Sequence, residues 1–413
     1  MRVSVLRTLP STLIMTAFAA AFLSYADEQL YETRVVTQSP VKIMLVVLLV
    51  VTAGTIVRCL ASAEARSRVI SLYTSHTAVM LALLGIVCFS FVSAFVPTAK
   101  WDDGPRWVLF PANDAVIILL AMLLPFPEHH RRRFRAYLLI AFVVVTASVF
   151  TDVIRPGTFS NLPDRAAGFA KNPNIAGFLL VALCSAIVVY DRVRIVDVLI
   201  VLATSLAVLA TFSRGGAVLF VFFLVCYATL IARHARRPGR ALARMAAIAV
   251  VAMLVVKSAT LLISRAQLFS LSTSRVGMLA GKSDVLPQRD PRRETFAVSL
   301  RIVREAPLVG YGSGYTYTMP QGPHNIYLQQ WINNGLLGLV AYVWLIAAAA
   351  RVFWRRRYHT GVVFVGLVAV EGLFSHNLLE ERIFLVLLGS MLTLSYFAVG
   401  GGAARPRVTS SLR

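Results

Sequence analysis

The residues best suited to chemistry are His324 and Asn325, which end a polar stretch and stand directly before a long apolar run. An imidazole titrates near neutral pH and can remove a proton from a hydroxyl, which typically accelerates a reaction by about 10²–10⁴-fold. Gly335 and Gly338 follow inside the apolar run. The structural alternative for His324 is a histidine that caps a helix or makes hydrogen bonds at a membrane interface.

A second candidate is Arg214, in the tight turn Thr211-Phe-Ser-Arg-Gly-Gly216 between two apolar segments. A guanidinium group grips phosphate oxygens in bidentate fashion and stays charged at any working pH. The paired glycines would let a ligand approach the backbone, which favours an anion site over a structural arginine that reaches toward the interface. Asn172-Pro-Asn174 opens another apolar segment and is either part of the site or a helix cap.

Further arginines lie in the polar stretch 264–324, and the candidates for a ligand contact are Arg265, Arg275 and Arg292. The pattern from Arg292 to Glu305 predicts an amphipathic helix that Pro307 ends. Several arginines beside one histidine suit a reaction in which a phosphate leaves and a hydroxyl attacks. This chemistry is group transfer from a phosphorylated lipid carrier.

Composition defines the elements that must position these residues. The chain has 413 residues, is 58% hydrophobic and 15% charged, and has a mean hydropathy of +0.72, whereas a soluble domain is about 45–50% apolar and about 25% charged. We predict an all-α polytopic membrane protein, because the bilayer offers backbone polar groups no water. Segments of roughly 20 apolar residues predict twelve spans, near 10–25, 41–58, 77–97, 107–126, 136–154, 173–190, 195–212, 215–232, 245–263, 325–350, 361–378 and 383–400.

This division gives nine spans in residues 1–263, an outer loop with short helices in 264–324, three spans in 325–400 and a tail in 401–413. Most of the 41 lysines and arginines fall in alternate loops. Cytoplasmic loops carry this excess, so both termini are expected in the cytoplasm and His324 on the outer side. Phospholipid head groups, rather than nucleic acid, are the expected partners of the +22 net charge.

The first apolar segment has two interpretations. Arg2 and Arg7 precede a run that ends in small residues, as in a secretory signal. We expect a retained helix, and the remaining topology is the same in either case. The four cysteines stand singly, so the sequence predicts neither a disulfide framework nor a zinc site.

His324-Asn325 followed by Gly335-x-x-Gly338 resembles the signature of bacterial O-antigen ligases, members of the wider ligase, polymerase and protein O-oligosaccharyltransferase superfamily. Ser213-Arg214-Gly215, Asn172-Pro-Asn174 and Pro307–Gly312 are similar to that superfamily as well. The resemblance covers roughly residues 172–345. It implies a GT-C-like glycosyltransferase architecture with one long periplasmic loop, in the inner membrane of a Gram-negative bacterium.

The resemblance also implies substrates and roles. The donor would be O-antigen polysaccharide on undecaprenyl diphosphate, and the acceptor a sugar hydroxyl of the lipid A-core oligosaccharide, joined with inversion and without a metal or cofactor. His324 would activate the acceptor, while Arg214 and an outer-loop arginine would hold the diphosphate. That arginine is Arg275 or Arg292, with Arg265 as a further candidate. The implied substrate-binding residues also include Asn325, Asn174, Gly335 and Gly338.

Three other functions stay open at this point. A polymerase would use the same donor, and a metal-dependent transferase could use Asp102-Asp103. A twelve-span lipid or glycolipid transporter is the alternative from another class, although the sequence has no internal repeat of the kind that transporters often show. Glu371, His376 and Arg382 bracket the last outer turn, where an interhelical hydrogen-bond network is the favoured interpretation over a part in the site. Asp114 and Lys257 have no assigned role.

Overall fold

The computed structural model describes residues 2–95, 104–162, 165–234, 239 and 291–400, and within them it is helical without strands. The predicted ninth span, the tail, Arg265, Arg275, Lys257 and the pair Asp102-Asp103 lie outside these residues. The helices, in chain order, are α1 (Arg2–Ala21), α2 (Ala26–Glu32), α3 (Pro40–Ala61), α4 (Ala63–Thr74), α5 (Thr77–Ser93), α6 (Gly104–Leu123), α7 (Glu128–Ile154), α8 (Pro173–Ile187), α9 (Ile195–Ala210), α10 (Arg214–His234), α11 (Pro291–Glu305), α12 (Ile326–Arg355), α13 (His359–Glu371) and α14 (Arg382–Gly400).

Helices α3, α7, α10 and α12 are long and apolar enough to cross a membrane by length and composition. Helices α4 and α5 are bent by 70° at their junction and would count as one further span. Shorter apolar helices occupy most of the other predicted spans, namely Pro10–Ala21, Leu109–Leu123, Pro173–Ile187, Ile195–Ala210, His359–Glu371 and Arg382–Ala398. The architecture is that of a polytopic membrane protein, and the number of twelve spans stays a prediction.

The helices form one bundle whose centre is α8, with Leu179, Leu180 and Leu183 fully buried. Helix α3 lies at the periphery and exposes a row of large apolar side chains, Val46, Leu49, Val50, Val57 and Leu60. A soluble protein rarely exposes an apolar surface of this extent. Lipid is the solvent that such a surface fits.

The two sets of loops that the basic residues distinguish lie at opposite ends of the bundle. Contacts at the more basic end join the starts of α5, α7, α9 and α13, the ends of α10 and α14, and the turn between α12 and α13. They include the Arg356 Nη1 to His76 Nε2 distance of 2.8 Å, the Arg135–Asp197 ion pair at 2.6 Å, Arg131 stacked 4.1 Å from the Phe397 ring centre, and the His234 and His359 rings 5.0 Å apart.

At the opposite end, called here the outer end, α2 packs against the start of α14. Buried Arg382 pairs with Asp27 and, at 2.9 Å, with Glu28. Tyr25 donates to Glu381 and lies under the Arg382 guanidinium, 4.7 Å from ring centre to charge. Arg382 therefore belongs to an interhelical network, as the sequence favoured. His324, Arg214 and Asn174 are all at this end.

Candidate functional site at the outer end

Helices α8, α10 and α12 begin with the same local structure. A non-glycine residue with positive φ is followed directly by a residue whose side chain accepts a hydrogen bond from the first turn. The left-handed residues are Lys171 (φ 58°), Phe212 (φ 47°) and His324 (φ 48°). The caps are Asn172, Ser213 and Asn325, which accept from the backbone N–H of Asn174 (2.9 Å), Gly216 (3.0 Å) and Leu328 (3.1 Å).

A left-handed L-residue costs roughly 1–2 kcal/mol, and such strain persists only where the surrounding structure holds it. Each of the three turns coincides with one of the motifs that the sequence singled out. Each helix start carries about half a positive charge and presents free N–H groups, which suit an anion. The three motifs therefore share one local structure, which fixes the direction of a helix N-terminus.

The starts of α8 and α10 touch. A Cβ built on Gly177 would lie 3.1 Å from Gly216 Cα, so only small residues allow this approach. Ser213 Oγ donates to Asn174 Oδ1 at 3.0 Å, and buried Arg165 donates to the same oxygen from Nη2 at 3.1 Å. Arg165 also donates from Nε to the Thr211 carbonyl at 2.9 Å.

Asn174 thus ties α8 to α10 through its carbonyl oxygen. Its predicted contact with substrate is a proposal that this geometry neither requires nor contradicts. Arg165 is a residue that the sequence did not single out. From the sequence, Arg165 is only a basic residue in a short loop. Its partners Asn174 and Thr211 belong to different parts of the chain that meet only in the fold.

Arg214 is the first residue of α10 and its side chain is exposed. The turn that carries it faces the segment after α13: a Cβ on Gly215 would lie 3.7 Å from Glu371 Oε2 and 3.7 Å from Phe374 Cβ. The same segment holds the start of α12, because Ile326 N donates to the Gly372 carbonyl at 2.9 Å. Arg214 and His324 therefore flank one short stretch of chain.

His324 packs against His376, with ring centres 5.1 Å apart and the rings nearly perpendicular. Its Nε2 lies 3.4 Å from Nε2 of Gln321, whose Oε1 accepts from Thr295 of α11 at 3.0 Å. Helix α11 is thereby fixed against the histidine loop. Arg292 is in the first turn of α11, while Arg265 and Arg275 lie outside the described residues.

His376 is half-buried, and its pKa is lowered from 6.5 to about 4 by burial and by the charge of His324. A neutral His376 can make hydrogen bonds to its neighbour or to a ligand without repelling a proton on His324. The sequence favoured a purely structural part for His376. Its ring packs against that of the candidate base, and a part for His376 in the site is a proposal.

The two glycine motifs interlock. Gly335 breaks α12 with φ 65° and ψ −167°, so the carbonyls of Ile332 and Asn333 leave the helical pattern. They accept from Tyr311 N at 2.7 Å and Gly312 N at 3.0 Å. A Cβ on Gly335 would overlap the Leu308 carbonyl, and one on Gly310 (φ 75°) would lie 2.6 Å from Gly335 N.

Gly335 therefore anchors the chain that leads to His324. Gly338 lies under the Asn334 side chain, which a Cβ would overlap. Asn325 caps α12 as described above. Direct contact of these three residues with substrate stays a proposal.

Beside the histidine pair lies a narrow cleft of about 60 Å³ between α5, α6, α12 and the loop around Ser313. Its polar lining comes mostly from the amides of α12, with an acid from α6 and a histidine and an acid from the last outer turn. These residues are Asp114, Gln329, Gln330, Asn333, Asn334, His376 and Glu380. The four amides are buried. We name this space the amide cleft.

The amide cleft was not predicted, although its signal is in the sequence. Two adjacent amides, Gln329-Gln330, recur four residues later as Asn333-Asn334 in an apolar run, which puts them on one helix face. Two of these amides have hydrogen-bond partners within the protein: Ser93 donates to Asn334 Oδ1 at 2.6 Å, and Asn334 donates to Gln330 Oε1 at 3.0 Å. Polar groups at this depth commonly mark function.

Glu380 is the acid of the amide cleft that lies outside the helices. The loss of water around its carboxyl group and the charge of the neighbouring Glu381 raise its pKa from 4.5 to about 7. It therefore exchanges its proton near neutral pH, and can donate or accept a hydrogen bond. The outer end thus combines a region in which Arg214 lies next to the Gly215–Glu371 contact with an amide-lined region that carries two acids and no lysine or arginine among the described residues.

Residues 199–343 match the family model described as O-antigen ligase. The match covers about a third of the chain, from α9 into α12, and includes Arg214, His324, Asn325, Gly335 and Gly338. Among curated proteins, none matches the chain in sequence. The family match supports assigning the chain to an O-antigen ligase family and supports an enzyme of the O-antigen ligase or polymerase type.

Proposed function

From the assignment of residues 199–343 to an O-antigen ligase family, we propose that this protein transfers O-antigen polysaccharide from undecaprenyl diphosphate to the lipid A-core oligosaccharide. The observation that carries the proposal is the meeting of Arg214 and His324 around the segment 371–376, at helix starts built to receive an anion. A phosphate leaving group and a hydroxyl nucleophile need these two chemistries side by side.

The diphosphate would bind at Arg214 and at the starts of α8 and α10. A guanidinium fork and preorganised N–H groups stabilise the charge that grows on the leaving phosphate, where such groups count most. An outer-loop arginine, Arg275, Arg292 or Arg265, would complete this grip. Arg165 and Asn174 would keep the two helix starts together, so that the anion site does not reorganise during the reaction.

His324 would take the proton of the acceptor hydroxyl as that oxygen attacks the anomeric carbon of the donor. The new carbon–oxygen bond forms while the bond to the phosphate oxygen breaks, and undecaprenyl diphosphate leaves with the electron pair. One displacement inverts the anomeric centre. Guanidinium and helix charges, rather than a metal ion, would neutralise the leaving group, and transfer is expected to persist with excess EDTA.

The orientation follows from the charge asymmetry of the two ends. The end that carries most of the basic residues would face the cytoplasm, and His324 would face the periplasm of a Gram-negative bacterium from the inner membrane. Donor and acceptor are both lipids of that leaflet in this scheme. Membrane phospholipids would contact the exposed apolar rows of α3.

Reconstitution tests the proposal. Purified protein in liposomes is mixed with undecaprenyl-diphosphate-linked glycan and lipid A-core, and the products are separated by size. Glycan attached to lipid A-core is the expected product, and it should need both substrates. Longer glycan that stays on undecaprenyl diphosphate would identify a polymerase instead. Lipid movement without a new glycosidic bond would favour a transporter and contradict the proposal.

A further inference from the structure

The amide cleft differs in charge from the region around Arg214. The described residues that line it include two carboxylic acids, Asp114 and Glu380, and neither lysine nor arginine. A phosphate group would meet acids there instead of guanidinium groups. The hydroxyls of a sugar, by contrast, are matched by carboxylate and amide oxygens that accept and by amide N–H groups that donate.

One side chain of the amide cleft is buried without a hydrogen-bond partner. Gln329 is 4% exposed, and its Oε1 has no partner within the described part of the chain. Buried polar atoms are almost always paired, so an orphaned acceptor needs an explanation. Because Gln329 lines the amide cleft, a rotation of its side chain that brings Oε1 to a ligand hydroxyl supplies one.

The position of the amide cleft relative to the candidate base gives the ligand a role. His376 lines the cleft and packs against His324, with 5.1 Å between ring centres. Aromatic Phe110 and Tyr317 also line the space.

We propose that the amide cleft is part of the acceptor subsite, and that it receives hydroxyl groups of the outermost sugar of the core oligosaccharide, with Asp114, Gln329 and Glu380 as their hydrogen-bonding partners. This inference rests on the proposed function, since it assigns the hydroxyl-bearing substrate of that reaction to one side of the histidine pair. The diphosphate of the donor belongs to the other side, at Arg214.

The test is a binding measurement that needs no turnover. Delipidated core oligosaccharide is titrated into the purified full-length protein by calorimetry, and undecaprenyl diphosphate is titrated in parallel. The variants are Glu380→Ala and Gln329→Leu, and the matched control is Glu64→Gln, an exposed acid of α4 paired with Arg68 at the opposite end. Thermal unfolding is recorded for all of them.

Both cleft variants should weaken oligosaccharide binding at least about tenfold and leave diphosphate binding unchanged. The control variant should leave the binding of both ligands unchanged. Gln329→Leu is the sharper variant, because an apolar isostere removes a buried orphaned acceptor. A ligand-binding glutamine predicts lost binding with an unchanged or higher melting temperature. A purely structural glutamine predicts a lower melting temperature with binding retained, which would overturn the inference.

Weakened diphosphate binding with intact oligosaccharide binding would also overturn it, since the amide cleft would then hold the donor. So would a wild-type protein that does not bind the oligosaccharide. If oligosaccharide binding depends on the cleft but reconstitution yields no core-linked glycan, the ligase proposal fails while the carbohydrate subsite stands. The two failures are therefore distinguishable.

Discussion

The outer end of this protein has two regions of opposite chemistry separated by one turn of chain. On one side, Arg214 stands at a helix start whose neighbour is held by Arg165. On the other, the amide cleft carries Asp114 and Glu380 and is lined by neither lysine nor arginine among the described residues. Residues 371–380 touch both, through Glu371 near Gly215 and His376 in the cleft.

In the proposed function, this difference would let the enzyme bind two lipid substrates from the same leaflet at separate sites. An anion is favoured where helix dipoles and guanidinium groups meet, and disfavoured beside acids. A sugar hydroxyl gains most where acceptors and donors alternate at short range. In the proposed mechanism, a histidine pair at the border of the two regions would bring the attacking oxygen to the anomeric carbon of the donor only when both substrates are bound.

The largest effect is expected for His324→Ala. Without the base, transfer should fall by about 10²-fold or more, while the melting temperature changes little because the ring is only half-buried. The assay is core-linked glycan formed in the reconstituted system. His234→Ala, at an exposed histidine of the opposite end, should retain activity. Wild-type rates in the His324 variant would remove the base from the mechanism.

Arg214→Lys should have the next largest effect, and only the binding of the donor should weaken. An ammonium cannot fork two phosphate oxygens, so the apparent donor affinity should fall about tenfold, equal to about 1.4 kcal/mol. Oligosaccharide binding should not change. Arg233→Lys, at the other end of the same helix, is the control. Equal losses for donor and acceptor would mean that the two regions are not separate sites.

Gly335→Ala tests the scaffold that both regions share. The new methyl group would overlap the Leu308 carbonyl at a φ of 65°, so we expect a loss of at least roughly 1–2 kcal/mol from the left-handed backbone alone. Melting temperature and activity should fall together. Gly54→Ala is the matched control, because nothing lies within 4 Å of that position in α3 and alanine favours a helix. An unchanged melting temperature for Gly335→Ala would contradict the close packing of the Gly310 segment against Gly335.

The smallest effect concerns the charge of the amide cleft. The pKa of Glu380 is about 7 in the folded protein against 4.5 without the fold, so its share of stability is present below pH 4.5 and is lost as the pH rises through 7. Glu380→Gln removes the free-energy cost of ionising this side chain beside Glu381, Asp114 and His376. The melting temperature of the variant relative to wild type should rise from pH 5 to pH 8. A constant or falling difference would show that Glu380 is solvated like a surface acid.

Local sequence signals predicted much of this structure. The apolar runs became helices, and the motifs around Asn172, Ser213 and Asn325 became helix starts, because a cap acts on the next three residues. Helix α4 lies where the predicted spans leave a loop, and the structure corrects this expectation: Ser62 caps the helix and Glu64 pairs with Arg68 one turn later. Its charges serve a helix as well as they serve as an orientation signal, because the two side chains of this ion pair are four residues apart.

What the sequence did not provide were partners distant along the chain. Arg165 meets the carbonyl of Thr211, Ser93 meets Asn334, and His376 meets His324 only after helices pack. The amide cleft is formed by five separate parts of the chain, so no single pattern could define its acids as neighbours. The family match adds the reaction class but ends at residue 343, before His376 and Glu380.

The diphosphate is proposed to bind at the outer end, although the opposite end carries more arginines. A photoreactive analogue of undecaprenyl diphosphate, with the reactive group beside the diphosphate, is crosslinked to the protein in liposomes and the peptides are mapped by mass spectrometry. We predict crosslinks in residues 172–174, 213–216 and 322–326, lost with Arg214→Lys. Crosslinks in residues 128–135 or 355–359 instead would contradict the account.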